Sequence, residues 1–149
     1  MSLEQIIMTD LKNAMKAKDQ AALRGIRAIK SALLLAKTDG SGTEIDEDGE
    51  IKLLQKLIKQ RKESLKIFTE QGRDDLASVE KEEIDVIQKY LPEQMSVDDL
   101  RDALQKIIAE TGAESMRDMG KVMGMASKEF AGKADGKTIS TIVKELLNS

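Results

Sequence analysis

The sequence contains no cysteine and no histidine among its 149 residues. Disulfides, thiol nucleophiles and thiolate metal sites are therefore excluded, and so are imidazole metal ligands and imidazole proton shuttles. Any catalysis would have to rely on carboxylates, lysines, hydroxyl groups and a single tyrosine. We expect no catalytic residue, no metal site and no cofactor.

Aromatic residues and long apolar runs are also scarce. Phe68, Tyr90 and Phe130 are the only aromatic residues, so few rings are left to stack on unpaired bases. No apolar run approaches the roughly 18–20 residues that cross a bilayer, and the N-terminus has no apolar leader segment. These absences favour a cytoplasmic protein without membrane contact. If the chain binds RNA, it should recognise shape and backbone through lysine and arginine.

The net charge of −3 is unevenly distributed along the chain. Residues 1–37 are net basic, and residues 38–95 carry fifteen acidic against nine basic side chains. Residues 115–144 carry six basic against three acidic side chains. A chain that is acidic as a whole argues against indiscriminate nucleic-acid binding, but it leaves room for a local basic surface near the C-terminus.

Apolar residues recur at helical spacing in seven segments, and no segment alternates as a β-strand does. The predicted buried stripes include Met15 in the first helix, Leu34 in the second, Val97 in the fifth and Met116 in the sixth. Residues 38–49, rich in glycine, serine and acids, are predicted to form a mobile loop. The sequence therefore predicts an all-α protein.

Helix ends are marked by residues that commonly cap helices. Predicted starts lie at Asp19, Ser96, Ser115 with Asp118, and Asp135; predicted ends lie at Gly72 and Gly112. The only proline, Pro92, should interrupt the helical pattern and introduce a hinge. We predict a four-helix N-terminal domain (1–94) and a three-helix C-terminal domain (95–149).

The last third of the chain combines glycines and lysines. Gly120 and Gly124 lie four residues apart on the sixth helix and indicate a close helix–helix contact or, alternatively, a flat patch where a ligand or RNA backbone approaches. Gly132 and Gly136 belong to the next turn and are further candidates for close contacts.

Four lysines accompany these glycines. Lys121 and Lys128 are seven residues apart and share a helical face, while Lys133 and Lys137 flank the turn. Glycine backbone, free N–H groups and a helix N-terminus together suit a phosphate. The alternative is a solvated face, and Asp135 within the turn counts against tight anion binding.

Several segments together resemble the GatB/YqeY family, and in particular its stand-alone YqeY-like members. They are Tyr90-Leu91-Pro92-Glu93-Gln94, Gly120-Lys121-Val122-Met123-Gly124, Gly132-Lys133-Ala134-Asp135-Gly136, and Arg61-Lys62-Glu63-Ser64 with Gly72-Arg73 downstream. In that family the similar tail of the amidotransferase B subunit is implicated in holding tRNA. The resemblance implies an all-helical two-part fold, a tRNA contact, and a nominal class of carbon–nitrogen ligase with glutamine as amido-N-donor.

The chain departs from the amidotransferase because it has no counterpart of the catalytic domain. We therefore predict a non-catalytic accessory protein associated with tRNA, or another structured RNA, and with tRNA-dependent amidation in translation. One alternative is a protein–protein adaptor for an amidotransferase or an aminoacyl-tRNA synthetase, which would use the charged third and fourth helices. Another is an enzyme that uses the carboxylates of Glu80, Glu82, Glu83 and Asp85.

Overall fold

The structure, a computed structural model, describes residues 2–38 and 45–148, and within these ranges it is all-helical without any strand. The elements are α1 (Leu3–Ala17), α2 (Gln20–Lys37), α3 (Glu47–Glu70), α4 (Asp74–Gln88), α5 (Val97–Thr111), a 3-10 turn (Met116–Asp118), α6 (Met119–Glu129) and α7 (Gly136–Asn148). The all-α prediction with seven α-helices is confirmed.

The capping residues explain most helix boundaries. Asp19 accepts the N–H of Ala22 at 3.1 Å, and Ser96 accepts the N–H of Asp99 at 3.1 Å, so each satisfies a donor that the first turn leaves unpaired. Gly72 and Gly112 adopt φ of 71° and 69°, the left-handed conformation that ends many helices. These predicted starts and ends are confirmed.

Two boundaries differ from the sequence prediction. Ser115 and Asp118 form a reciprocal capping box, but it caps the 3-10 turn that precedes α6. Helix α3 begins within the predicted loop because Asp46 accepts the N–H of Gly49 at 2.8 Å and three acids lie in the first turn, where the helix dipole favours them. A loop over residues 47–49 is therefore wrong. Residues 39–44 of the predicted loop lie outside the described residues.

Helices α1 to α4 share one apolar core. Helix α4 packs against α2 and α3, and α1 packs against α2. Ile29 on α2 and Ile87 on α4 are fully buried. The prediction that Met15 and Leu34 belong to this core is wrong, since they are 57% and 61% exposed. Both lie near the C-terminal end of a helix, where the apolar stripe continues beyond the buried positions.

Gly25 marks a close approach between α2 and α4. A Cβ atom built on Gly25 would lie 2.5 Å from Cγ1 and 2.7 Å from Cβ of Val86. Real Cβ atoms do not come this close to a neighbour, so the present spacing of the two helices requires glycine at this position.

Helices α5 to α7 form a second apolar core. Helix α6 packs against both α5 and α7, and Leu104, Val122 and Val143 are completely buried. Phe130 is also buried, at 4% exposure. The prediction that Val97 and Met116 are buried is wrong, since they are 56% and 40% exposed. Each is the first residue of its element, which explains why its side chain remains in solvent.

The contacts divide the chain into two compact units, Met1–Leu91 and Pro92–Ser149. Between them the helix is interrupted, because α4 ends at Gln88 and α5 begins at Val97. Pro92, which lacks a backbone donor, lies in this interruption. The assignment of independent domains to residues 1–94 and 95–149, and of a hinge between them, stays a prediction.

Candidate functional site

The outer face of α6 carries four residues that the sequence singled out: Gly120, Lys121, Gly124 and Lys128. All four are exposed, whereas Val122 and Ala126 on the opposite side are fully buried. At about 100° per residue, the four lie within an arc of roughly 100° around the helix axis. We call this surface the Gly–Lys face.

The two glycines of the Gly–Lys face open onto empty space. A Cβ atom built on Gly120 or Gly124 would meet no heavy atom within 4 Å, and the same holds for Gly136. A close helix–helix contact inside this unit therefore does not account for these glycines. The other interpretation, a flat patch that a ligand backbone approaches, stays a prediction.

The turn after α6 is held by the segment that precedes α5. Gly132 is buried and adopts φ of 76°. Its carbonyl accepts a hydrogen bond from Nε2 of Gln94 at 2.6 Å, and the carbonyl of Lys133 accepts one from the N–H of Met95 at 2.9 Å. Gln94 and Gly132 belong to two separate motifs of the sequence, and the fold brings them into direct contact. The side chain of Lys133 projects from a turn that is fixed at its backbone.

The N-terminus of α7 already has an anionic partner. Oδ1 of Asp135 accepts the N–H of Thr138 at 2.7 Å, which makes Asp135 the capping residue of α7. One of the donors that a phosphate would use is therefore occupied by a carboxylate, as the sequence suggested. Lys137 lies in the first turn of α7 and is exposed.

The four candidate lysines, Lys121, Lys128, Lys133 and Lys137, are all exposed. Within the described residues none of them forms an ion pair, whereas Arg101 in the same unit is paired with Glu145 at 2.8 Å. Lys144 was not singled out from the sequence, although it lies seven residues after Lys137 and so shares its face of α7. Its spacing was the signal that would have identified it.

Two of the three acidic residues between positions 115 and 144 accept backbone hydrogen bonds. Asp118 accepts the N–H groups of Glu114 and Ser115 at 3.0 and 3.4 Å, and Asp135 caps α7. Because these carboxylates have local partners, they do not neutralise the lysines by direct pairing. The result is a surface with accessible ammonium groups on α6, on the following turn and on α7.

The carboxylates considered for catalysis occupy two different faces of α4. Glu82 is paired with Arg24 of α2 and Glu83 with Arg61 of α3 at 3.4 Å. Burial, and then the neighbouring charge of Glu83, raise the pKa of Glu80, an effect that Arg61 partly offsets. Since two of the carboxylates are tied to arginines, the arrangement is that of ion pairs between helices.

No group of three or more acidic side chains among residues 2–38 and 45–148 is arranged to hold a metal ion. In the same part of the chain, no helix is both long and apolar enough for a membrane span. The three aromatic side chains are buried or half-buried, so none of them presents a fully exposed ring for base stacking.

Comparison with known proteins gives matches along nearly the whole chain. The family model described as Yqey-like protein matches residues 4–147. A protein of Pyrenophora tritici-repentis named "Altered inheritance of mitochondria protein 41, mitochondrial" is 32% identical over 145 residues, which cover 96% of this chain and 80% of that protein. The protein of the same name from Saccharomyces cerevisiae (strain YJM789) is 32% identical over 136 residues, covering 91% of this chain and 72% of the relative.

These relatives correct one expectation and confirm another. They are named as mitochondrial proteins, so the cytoplasmic location predicted from the sequence is wrong. The prediction rested on the lack of long apolar runs, and that feature does not distinguish between compartments inside the cell. The resemblance based on the hinge and glycine–lysine motifs is confirmed: the chain belongs to the family of YqeY-like proteins.

Proposed function

We propose that this protein is a non-catalytic accessory factor that binds structured RNA, with tRNA as the preferred class, through the Gly–Lys face and the turn between α6 and α7. We assign no catalytic residue to the chain. In this proposal its link to tRNA-dependent amidation is to hold the RNA, while a partner enzyme supplies the carbon–nitrogen ligase chemistry.

The observation that carries the proposal is the combination of open glycines and unpaired lysines on α6. Glycine in a helix interior costs about 1 kcal/mol relative to alanine, and no packing within 4 Å of Gly120 or Gly124 offsets this cost. A nucleic-acid backbone that approaches α6 closely would use the missing side chains. Lys121 lies between the two glycines and Lys128 lies four residues after Gly124, and they supply the positive charge that phosphates require.

The scarcity of exposed aromatic rings favours folded RNA over single-stranded RNA as the ligand. Readers of single strands stack bases on exposed rings, and Phe130, the aromatic residue of this unit, is buried. A folded RNA presents its phosphates in a fixed arrangement, so lysines at fixed positions suit it better than a flexible strand.

The proposal is tested by titrating the full-length protein with unmodified tRNA at several salt concentrations. Replacing Lys121, Lys133 and Lys137 with alanine should weaken binding and flatten the log–log salt dependence by about two to three units, because each neutralised phosphate contributes roughly 0.7–0.9 to the slope. These side chains are exposed, so the melting temperature should stay nearly constant.

A matched control replaces Lys59, Lys66 and Lys106, which are exposed on α3 and α5, with alanine. This triple variant changes the net charge equally and should retain the affinity and the salt slope. Equal affinity of the wild type and the Lys121, Lys133 and Lys137 variant would reject the RNA proposal, and the protein–protein adaptor would take its place.

A further inference from the structure

A groove of about 530 Å³ opens on the N-terminal unit, where the end of α1, the start of α2 and α4 meet. Four alanines line it: Ala14 and Ala17 of α1, and Ala21 and Ala22 of α2. Small side chains reduce the distance at which another helix can pack, because interaxial distance depends on the residues at the contact. The shape therefore suits a helix more than it suits a bulky isolated side chain.

The same groove is acidic. Its lining contains four carboxylates, Asp10, Asp19, Glu82 and Asp85, and one cation, Lys89. Oδ2 of Asp10 accepts the hydroxyl hydrogen of Tyr90 at 2.6 Å, and Oδ1 of Asp19 accepts the N–H of Ala22. Each of these two carboxylates keeps an oxygen free of any protein partner within the described residues.

Asp85 differs from the other three carboxylates. Glu82 is paired with Arg24, whereas Asp85 is exposed and has no hydrogen bond or ion pair in the described part of the chain. Lys89 lies four residues after Asp85, directly after the end of α4, but does not pair with it. The groove thus retains an excess of negative charge that neighbouring cations do not neutralise.

The spacing of the carboxylates indicates which kind of ligand fits the groove. Asp10 lies in α1, Asp19 caps α2, and Glu82 and Asp85 lie in α4. Among the described residues, no three of them are close enough to share a metal ion. A row of separate cations complements such a distribution better than one compact ion does. Lysine or arginine side chains on successive turns of a helix form such a row.

We propose that this alanine-lined acidic groove binds a helix of a partner protein that presents lysine or arginine side chains along one face. The charge of the lining and the small side chains of α1 and α2 both favour this occupant. The site lies entirely within residues 1–91 and is separate from the Gly–Lys face, so the two proposals are independent.

The test uses full-length protein labelled with 15N and a synthetic alanine-rich peptide of about 20 residues with lysine at every fourth position, which is long enough to be helical alone. Adding the peptide should shift the amide signals of residues at the groove and leave those of α5 to α7 unchanged. The control peptide carries glutamate in place of lysine and should produce no shift.

Two variants examine charge and shape separately. Asp85→Lys should weaken binding about tenfold because it reverses one charge of the groove. Ala17→Phe should weaken it to a similar degree because the ring fills the space beside α1. Glu70→Lys and Ala109→Phe, which alter exposed residues outside the groove, should change the affinity by less than about twofold.

Three results would overturn the proposal: equal binding of the glutamate peptide, amide shifts spread over α1 to α7 and not confined to the groove, or unchanged affinity in both groove variants. Thermal unfolding of each variant shows whether it is folded. If one variant is destabilised, the other still decides the question.

Discussion

Gly25 is the residue at which α2 closely approaches Val86 of α4. We expect Gly25→Ala to lower the free energy of unfolding by about 1–3 kcal/mol, because the new methyl group would overlap the side chain of Val86 and overpacking typically costs this much. Chemical denaturation would measure the change. Val86→Ala in the same chain should recover part of it, and a double variant no more stable than Gly25→Ala would contradict the contact.

Gly124, in contrast to Gly25, has no neighbouring atoms that an added methyl group would overlap. Its surroundings are open, so Gly124→Ala should raise the free energy of unfolding by about 0.5–1 kcal/mol through the higher helix propensity of alanine. If the proposed function is correct, the same substitution should weaken tRNA binding, because the methyl group separates the RNA backbone from α6.

The combination of the two measurements is informative for Gly124. Higher stability together with weaker binding would show that the glycine serves the ligand. Higher stability with unchanged binding would remove Gly124 from the proposed site, while the lysines would still be tested by their own variants.

At the scale of the element, α7 is capped by a residue that has two opposing effects. Asp135 caps the helix, and its negative charge lies between Lys133 and Lys137 in the sequence. Asn caps a helix about as well as Asp does. We therefore expect Asp135→Asn to leave the melting temperature nearly unchanged and to strengthen tRNA binding severalfold, since phosphate repulsion is removed.

Asp135→Ala is the matched comparison because it removes both the charge and the cap. It should strengthen binding less and lower the free energy of unfolding by about 1 kcal/mol. Equal affinity of wild type and Asp135→Asn would indicate that RNA does not approach the start of α7.

The contact between α3 and α4 gives a prediction about pH. Burial and the charge of Glu83 raise the pKa of Glu80, so the folded state favours the protonated form of this side chain. The stability associated with protonated Glu80 is fully present below its ordinary pKa of 4.5 and is lost as the pH rises through the higher pKa of the folded state.

Glu80→Gln imitates the protonated form at every pH. The melting temperature should therefore rise at pH 7 and approach that of the wild type near pH 4. Glu70→Gln on the surface of α3 controls for the change in net charge. A gain at pH 4 as large as that at pH 7 would rule out the charge of Glu80 as the cause.

For the whole molecule, the sequence predicts local features better than it predicts contacts between helices. Apolar periodicity and caps such as Asp19 and Ser96 act within a few residues. The helices and many of their ends can therefore be predicted from the sequence alone. Burial at helix ends depends on how far the neighbouring helix extends, which explains the errors at Met15, Leu34 and Val97.

The candidate site shows the same division. The lysines and glycines near the C-terminus could be selected from composition and spacing, and the exposure of the four that lie on α6 follows from its periodicity. The acidic groove could not be predicted, because its carboxylates are separated by up to 75 residues in sequence and only the pairing of α1, α2 and α4 assembles them.

The uneven charge has an effect on the molecule as a whole. The acidic middle of the chain repels polyanions at long range, while the lysines near the C-terminus attract them locally. Salt screens both interactions over about 8–10 Å under ordinary conditions. The attraction between the lysines and a polyanion persists at distances shorter than this screening length. The net negative charge of the chain therefore disfavours loose, nonspecific association with nucleic acid.

The close approach of α2 and α4 also constrains how this protein can change over evolutionary time. Because residues 25 and 86 share one small volume, an increase at position 25 can be accepted only after a decrease at position 86, whereas the reverse order passes through a strained intermediate. The two positions should therefore vary together among YqeY-like proteins that keep this helix spacing. In some of them the smaller residue should be at position 25 and in others at position 86, while the combined volume of the two side chains stays nearly constant.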